Sequence, residues 1–187
     1  MIGTFIQELD WAILNTIRQD MTCPALDVLM PLVSALANAG LIFFAAAGIM
    51  LFFRSKRICA VNILIFLALG AVLANLIIKP LVARDRPCWI MEDIPLLIAV
   101  PHDFSFPSGH TLHSVGVALV IFLYDKRIGI PSLILAALIA FSRLYLFVHF
   151  PSDVLGGALI GAALAVGTYF LTKLILKKIP KLTEKLT

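Results

Sequence analysis

Three short runs of this sequence carry side chains suited to holding and attacking an anion. The first is Lys79-Pro80-Leu81-Val82-Ala83-Arg84-Asp85-Arg86-Pro87, with three cations in eight residues. Its plain alternative is a solvated loop with Asp85 as internal partner. The second is Phe106-Pro107-Ser108-Gly109-His110. Proline is favoured at the first helical position, so a helix is expected to begin at Pro107, with Ser108 and Gly109 in its first turn. Backbone N–H groups and the positive end of the helix dipole meet there, and glycine lets an oxyanion approach the chain. His110 stands beside that turn as a candidate proton donor; the alternative is a capping histidine. The third run is Ser142-Arg143 followed by His149-Phe150-Pro151-Ser152-Asp153. Arg143 lies inside an apolar stretch, where an ionisable residue is costly and marks function. His149 and Asp153 are four apart across a helix start at Pro151. That spacing suits a histidine oriented by a carboxylate, or more plainly a first-turn aspartate and an interfacial histidine.

These residues must be positioned by membrane helices. The chain has 187 residues, of which 61% are hydrophobic and 14% charged, and its mean hydropathy is +1.02. A soluble domain is nearer 45–50% apolar and about 25% charged. Residues 28–53, 58–78, 104–124 and 154–172 contain no Asp, Glu, Lys or Arg, and 128–150 is apolar except for Arg143 and His149. The expected fold is an all-α polytopic bundle of about five transmembrane helices. Within residues 1–24, Phe5, Ile6, Leu9, Ile13, Leu14 and Ile17 recur at helical spacing. They predict an amphipathic helix lying in the outer interface, with a sixth span as the alternative. No basic n-region or small-residue cleavage site suggests a cleaved signal peptide. We expect a single membrane-embedded domain over 1–187, with 79–106 as the long outer loop carrying the first cationic run.

Charge sets the orientation. Arg54-Ser55-Lys56-Arg57, Asp125-Lys126-Arg127 and the tail with Lys173, Lys177, Lys178, Lys181 and Lys185 fall on one face. By the positive-inside rule that face is cytoplasmic. The three anion-binding runs then share the other face, at one depth, which points to a phosphate carrying developing negative charge. The net charge of +4 reflects this asymmetry, so no nucleic-acid partner is expected. Cys23, Cys59 and Cys88 have no metal-site spacing and are expected as idle thiols, although the topology permits a Cys23–Cys88 bridge. The set also lacks the carboxylate and histidine cluster of a di-metal phosphatase, so no metal or other cofactor is expected.

Taken together, the runs follow the pattern K-x6-R-P, P-S-G-H, S-R-x5-H-x3-D. In this order the chain resembles the type 2 phosphatidic acid phosphatase superfamily of membrane lipid phosphatases. Lys79 through Arg86-Pro87, Pro107 through His110, and Ser142-Arg143 through His149 and Asp153 match every motif position. The resemblance implies that His149 attacks phosphorus and that Asp153 orients it. It implies that His110 protonates the leaving oxygen. Lys79, Arg86 and Arg143 would clamp the phosphoryl oxygens with Ser108 and the Gly109 N–H. Arg84, outside the core pattern, is a candidate further contact. Many relatives have Gly-Val-His-Tyr-Pro where this chain has Phe147-Val148-His149-Phe150-Pro151, so Phe147 is expected to narrow or reshape the pocket. His102 and His113 match no motif.

The resemblance implies hydrolysis of a lipid phosphate or diphosphate at the outer face of the plasma (inner) membrane. Undecaprenyl diphosphate is favoured, because an outward-facing site matches where that lipid is released. Phosphatidylglycerophosphate and phosphatidic acid are the alternatives. A binding or transport protein would use the same cations but does not need two histidines. A vanadate-dependent haloperoxidase shares the phosphate-site pattern but not the membrane spans. The sequence does not fix the oligomeric state.

Overall fold

The computed structural model describes residues 2–178; Lys181 and Lys185 of the basic tail lie outside the described residues. All regular structure among them is helical. Helix α1 (Ile2–Asp20) precedes α2 (Pro24–Leu36) and α3 (Leu41–Phe52), which are joined by a 3-10 turn, Asn38–Gly40. α4 (Arg57–Ala71) runs into a π-helical stretch, Val72–Ile78, and then into α5 (Lys79–Val82). The short α6 (Pro87–Ile90) lies in the following loop, before α7 (Gly109–Tyr124), α8 (Lys126–Tyr145) and α9 (Pro151–Lys178).

Among the described residues, three helical stretches are long and apolar enough to cross a membrane: Arg54–Ile90, Lys126–Tyr145 and Pro151–Lys178. The α2–α3 pair, bent by 45°, is long and apolar enough for a fourth when taken together as one broken span. The bend falls where Ala39 (φ 51°) and Gly40 (φ 70°) both enter the left-handed region. Uniform apolarity over 28–53 predicts a single span and hides this break. The fifth expected span, 104–124, is helical only from Gly109, giving α7 16 residues, about 24 Å of rise. α7 is nonetheless the central element, packed most extensively against α8 and α9. Its Leu112 and Val120 share one core with Phe66, Ile63 and Ile139, all fully buried. Large apolar residues such as Leu32, Leu76, Ile134, Leu159 and Phe170 are exposed on the outside of the bundle, as lipid solvation requires.

Two close approaches set the geometry of the functional end. At Gly157 a Cβ would lie 2.6 Å from the Ser108 carbonyl oxygen, and at Gly161 it would lie 2.4 Å from that of Leu112. This Gly-x-x-x-Gly ridge lets α9 lie directly on the backbone of α7. The first turns of both helices are thereby adjacent, and Ser108 N–H donates to the Asp153 carbonyl at 3.1 Å. Because the opposing atoms are backbone, they have little room to give. Gly161→Val is expected to destabilise the bundle by about 1–3 kcal/mol, seen as a lowered Tm in detergent.

At the opposite end Lys56 forms an ion pair with Asp125, which ties the first two basic clusters together as the topology demands. α1 is helical as expected, but its apolar residues divide. Leu14 and Ile17 are buried with Asp10, whereas Phe5, Ile6, Leu9 and Ile13 are exposed. The three cysteines are free thiols, so the permitted Cys23–Cys88 bridge is absent.

Candidate active site

The π-helical stretch ends at Lys79, a local rewinding of the kind often found beside functional residues. Ala83 then turns left-handed (φ 46°) and ends α5, so the chain doubles back and presents Arg86. Lys79 is 5% exposed and Arg86 2%, far from the solvated loop that three adjacent cations suggest. The 79–106 loop is thus partly helical and folded inward. Trp89 closes it by donating Nε1–H to the Pro101 carbonyl at 3.0 Å.

Lys79, Arg86, Gly109, His110, Arg143 and His149 line one cavity of about 390 Å³. Six of the residues singled out in the sequence therefore converge, from three separate helices and two loops. Arg86 anchors the rear wall through Nη1 to the Val148 carbonyl (2.6 Å) and Nε to the Asp103 carbonyl (2.7 Å). Its Nη1 also meets His149 Nε2 at 3.1 Å. A guanidinium has only protons to give, so Nε2 carries the lone pair and Nδ1 carries the proton. Burial, reinforced by the positive charges of Arg86, Arg143 and Lys79, holds His149 well below the ordinary histidine pKa. Its lone pair therefore stays available at neutral pH and is lost only when pH falls below the usual histidine range.

Asp153, the carboxylate expected to orient His149, reaches it through an intermediary. Asp153 Oδ2 is 3.6 Å from His149 Nδ1, too long for a hydrogen bond. Ser105 fills the gap: its Oγ lies 3.4 Å from Nδ1 and donates to Asp153 Oδ2 at 2.5 Å. Asp153 Oδ2 also accepts the Phe150 N–H at 2.8 Å. That contact closes the first turn of α9 from its third residue, as in a capping box. Ser105 was missed in the sequence, where nothing distinguishes it from other loop serines.

His110 Nε2 is 3.0 Å from Asn38 Oδ1. An amide oxygen only accepts, so His110 holds a proton on Nε2. Asn38 sits in the break between α2 and α3, which gives that bend a local purpose. Arg143 donates through Nη1 to Ser34, and its buried Nε has no partner. Ser108 is the N-cap of α7, with its Oγ accepting from the Thr111 hydroxyl at 3.0 Å. The helix thus begins two residues later than Pro107 predicts, and the Ser108 hydroxyl faces its own helix. His113 closes on the Gly109 carbonyl at 2.8 Å.

Two expectations are redirected. The Arg84 guanidinium is committed through both Nη atoms to Asp153 Oδ1 (2.6 Å), Asp10 Oδ2 (2.6 Å), Ser152 Oγ (2.7 Å) and Gln7 Oε1 (2.8 Å), and it does not line the cavity. Phe147 adopts φ 60° and packs against Trp11, with ring centroids 6.1 Å apart, and beneath Arg18. It faces α1 and not the cavity. Its left-handed backbone explains why glycine suits this position.

Asp103 is a residue the sequence did not single out. Its half-exposed carboxylate pairs with Lys79 and with Arg86 Nη2, the same donors that would hold a phosphoryl group. Burial alone would raise its pKa, but Lys79 and Arg86 outweigh that and bring it down to about 2. It is therefore charged throughout the working pH range and competes with any incoming oxyanion. Asp103→Asn is expected to tighten inhibition by inorganic phosphate about 1.5-fold to fivefold, the range of a partly exposed ion pair. The inhibition constant at fixed pH measures this directly; an unchanged or weaker constant would show that Asp103 chiefly preorganises the cations.

A buried cationic cavity flanked by two histidines, at the end of a membrane bundle, defines a class of site built to hold a phosphoryl group. The PAP2 superfamily pattern matches residues 58–176, and the chain belongs to that superfamily. It is 31% identical, over 65% of its length, to an undecaprenyl-diphosphatase of Sulfolobus acidocaldarius. The match spans 59% of that relative. It is 30% identical to the bacitracin transport permease protein BcrC of Bacillus licheniformis, over 76% of this chain and 71% of the relative. The crystal structure of a transmembrane PAP2 type phosphatidylglycerolphosphate phosphatase from Bacillus subtilis superposes with TM-score 0.72 at 28% identity, covering 93% of this chain and 87% of that one. The protein is an integral membrane protein with an all-α bundle.

Proposed function

We propose that the protein hydrolyses a lipid phosphate or diphosphate through a phosphohistidine, at the outer face of the plasma membrane. The observation that carries this reading is the His149 Nε2 lone pair held at a cavity walled by Lys79, Arg86 and Arg143. In the first step Nε2 attacks phosphorus as the bond to the leaving oxygen breaks. In the substrate complex the phosphate's negative charge favours the imidazolium form of His110, which gives that oxygen one of its two protons. The three cations and the Gly109 N–H neutralise the equatorial oxygens as charge develops. In the second step His110, now neutral, takes a proton from water. The water oxygen attacks phosphorus, and the N–P bond breaks to release phosphate and free His149. Three fixed cations supply the charge neutralisation that a metal supplies elsewhere, so no metal is required.

A lipid substrate is supported by a second cavity of about 330 Å³, which shares Lys79, Gly109 and His110 with the first and adds Phe44, Leu67 and Ala71. An apolar annexe next to the phosphate pocket suits the start of a lipid chain. We favour undecaprenyl diphosphate, whose terminal phosphorus would be attacked, leaving the lipid monophosphate. The archaeal undecaprenyl-diphosphatase supports this choice, and the Bacillus subtilis phosphatidylglycerolphosphate phosphatase supports the alternative. A transport reading has the name of one relative behind it, but moving an anion requires neither the oriented His149 nor a protonated His110.

The test is phosphate release by detergent-purified protein in EDTA, comparing undecaprenyl diphosphate, phosphatidylglycerophosphate and phosphatidic acid, with His149→Ala as control. We expect release from the diphosphate to dominate and to vanish in the variant. Preference for a monophosphate would move the role to phospholipid metabolism. Head-group binding without release from any substrate would favour the transport reading.

A further inference from the structure

Asp10 is a carboxylate on a helix expected only to rest on the membrane, yet it is 2% exposed. Its Oδ1 accepts the Ser152 backbone N–H at 2.8 Å, and its Oδ2 accepts the Ser152 hydroxyl at 2.5 Å and Arg84 Nη2 at 2.6 Å. Arg84 Nη1 continues to Asp153 Oδ1 at 2.6 Å. The guanidinium lies over the Phe150 ring, 4.2 Å from its centroid, and cannot swing toward the phosphate cavity without breaking all of these contacts. Trp11, next along α1, packs edge-on against the same Phe150 ring at 5.0 Å. Through these contacts α1 grips the segment 147–153, which carries His149.

Counting charges shows what Asp10 adds. Arg84 and Asp153 alone form a neutral pair. A neutral pair behind Ser105 offers little to a histidine that becomes cationic as its Nε2 bonds to phosphorus. With Asp10 the trio carries one net negative charge, buried and fixed on the Nδ1 side of His149. Fixed charge in a buried site acts strongly because the site does not reorganise as the reaction proceeds.

We propose that Asp10 is a positioning residue of the hydrolytic site. Acting through Arg84, it leaves Asp153 with an uncompensated negative charge facing His149, and it makes α1 a working part of the enzyme. This inference rests on the reading of His149 as the nucleophile. Asp10→Asn keeps the shape and the acceptor for the Ser152 N–H, while removing the charge and turning an NH₂ toward Arg84 and the Ser152 hydroxyl in place of an acceptor. It is expected to lower kcat about tenfold to a hundredfold, the usual cost of losing an outer partner of a reacting group, with KM nearly unchanged. Arg84→Gln alone leaves two adjacent carboxylates without their cation and is also expected to lose activity. The double variant restores one net negative charge, so its kcat should exceed that of either single variant.

The experiment measures kcat and KM of wild type, the two single variants and the double variant in one detergent, with Tm recorded for each. Recovery in the double variant supports the charge role, because a purely packing role would make the two losses add. If Asp10→Asn does not survive purification, the Arg84→Gln and double variants carry the same comparison. A double variant no better than the worse single, or Asp10→Asn with wild-type kcat, overturns the inference. Wild-type protein that releases no phosphate from any lipid would instead fail the underlying reading, and the two failures are thus distinguishable.

Discussion

Asp153→Asn is expected to lower kcat by about 10³–10⁴, the scale seen when a histidine loses its orienting carboxylate. Asp153 is fully buried, and both its oxygens accept. Oδ1 takes Arg84, and Oδ2 takes Ser105 and the Phe150 N–H. An asparagine has one acceptor and one donor. In either rotamer its NH₂ faces a donor, so a repulsive contact replaces a bond. The Ser105 hydroxyl then loses its reason to point away from His149 and can donate to Nδ1, favouring the tautomer that places the proton on Nε2 and blocks attack. The same substitution breaks a buried ion pair and should cost about 3 kcal/mol of stability. Kinetics and Tm on the same preparation separate the two effects. A variant that folds and keeps kcat within tenfold of wild type would remove Asp153 from the mechanism.

Arg86→Lys preserves charge and tests geometry. The guanidinium serves the Val148 carbonyl, His149 Nε2, the Asp103 carbonyl and the Asp103 carboxylate from three nitrogens at once. A single ammonium cannot span those directions. Losing one preorganised donor to a developing oxyanion costs about 10²–10³ in kcat, and we expect the loss here to fall in that range. A loss confined to KM would indicate that Arg86 recruits the head group without acting on the transition state.

Much of this site is legible in the sequence because its chemistry is carried by residues that are expensive to bury. Lys79, Arg86 and Arg143 stand out as cations against an apolar background, and the topology alone places them with His110 and His149. The helical spans follow from apolar runs for the same reason. What stays hidden depends on side chains meeting across long stretches of chain. Asp10 reaches Ser152, and Asn38 reaches His110, through turns that no local pattern encodes. Ser105 slips between His149 and Asp153 from a loop whose Ser105 N–H donates to the Arg84 carbonyl at 2.8 Å. The bend at Ala39 and Gly40 is invisible to hydropathy, which records apolarity and not backbone angle. Two further features do have a local pattern. Asp10 lies on the same helical face as Leu14 and Ile17 at i+4 and i+7, which marks it as inward-facing. Gly157 and Gly161 form the spacing of a close helix contact.

The central claim is covalent: His149 itself carries the phosphoryl group. The most direct measurement is rapid quench of the detergent-purified protein during turnover of a lipid diphosphate labelled with ³²P at its terminal phosphorus. The quenched protein is then tested for acid-labile, alkali-stable label and mapped by peptide. The account predicts label on the peptide containing His149, formed and lost at rates compatible with kcat, and absent from His149→Ala. Phosphate release without trapped label under conditions that preserve phosphohistidine, or continued release by His149→Ala, would contradict it.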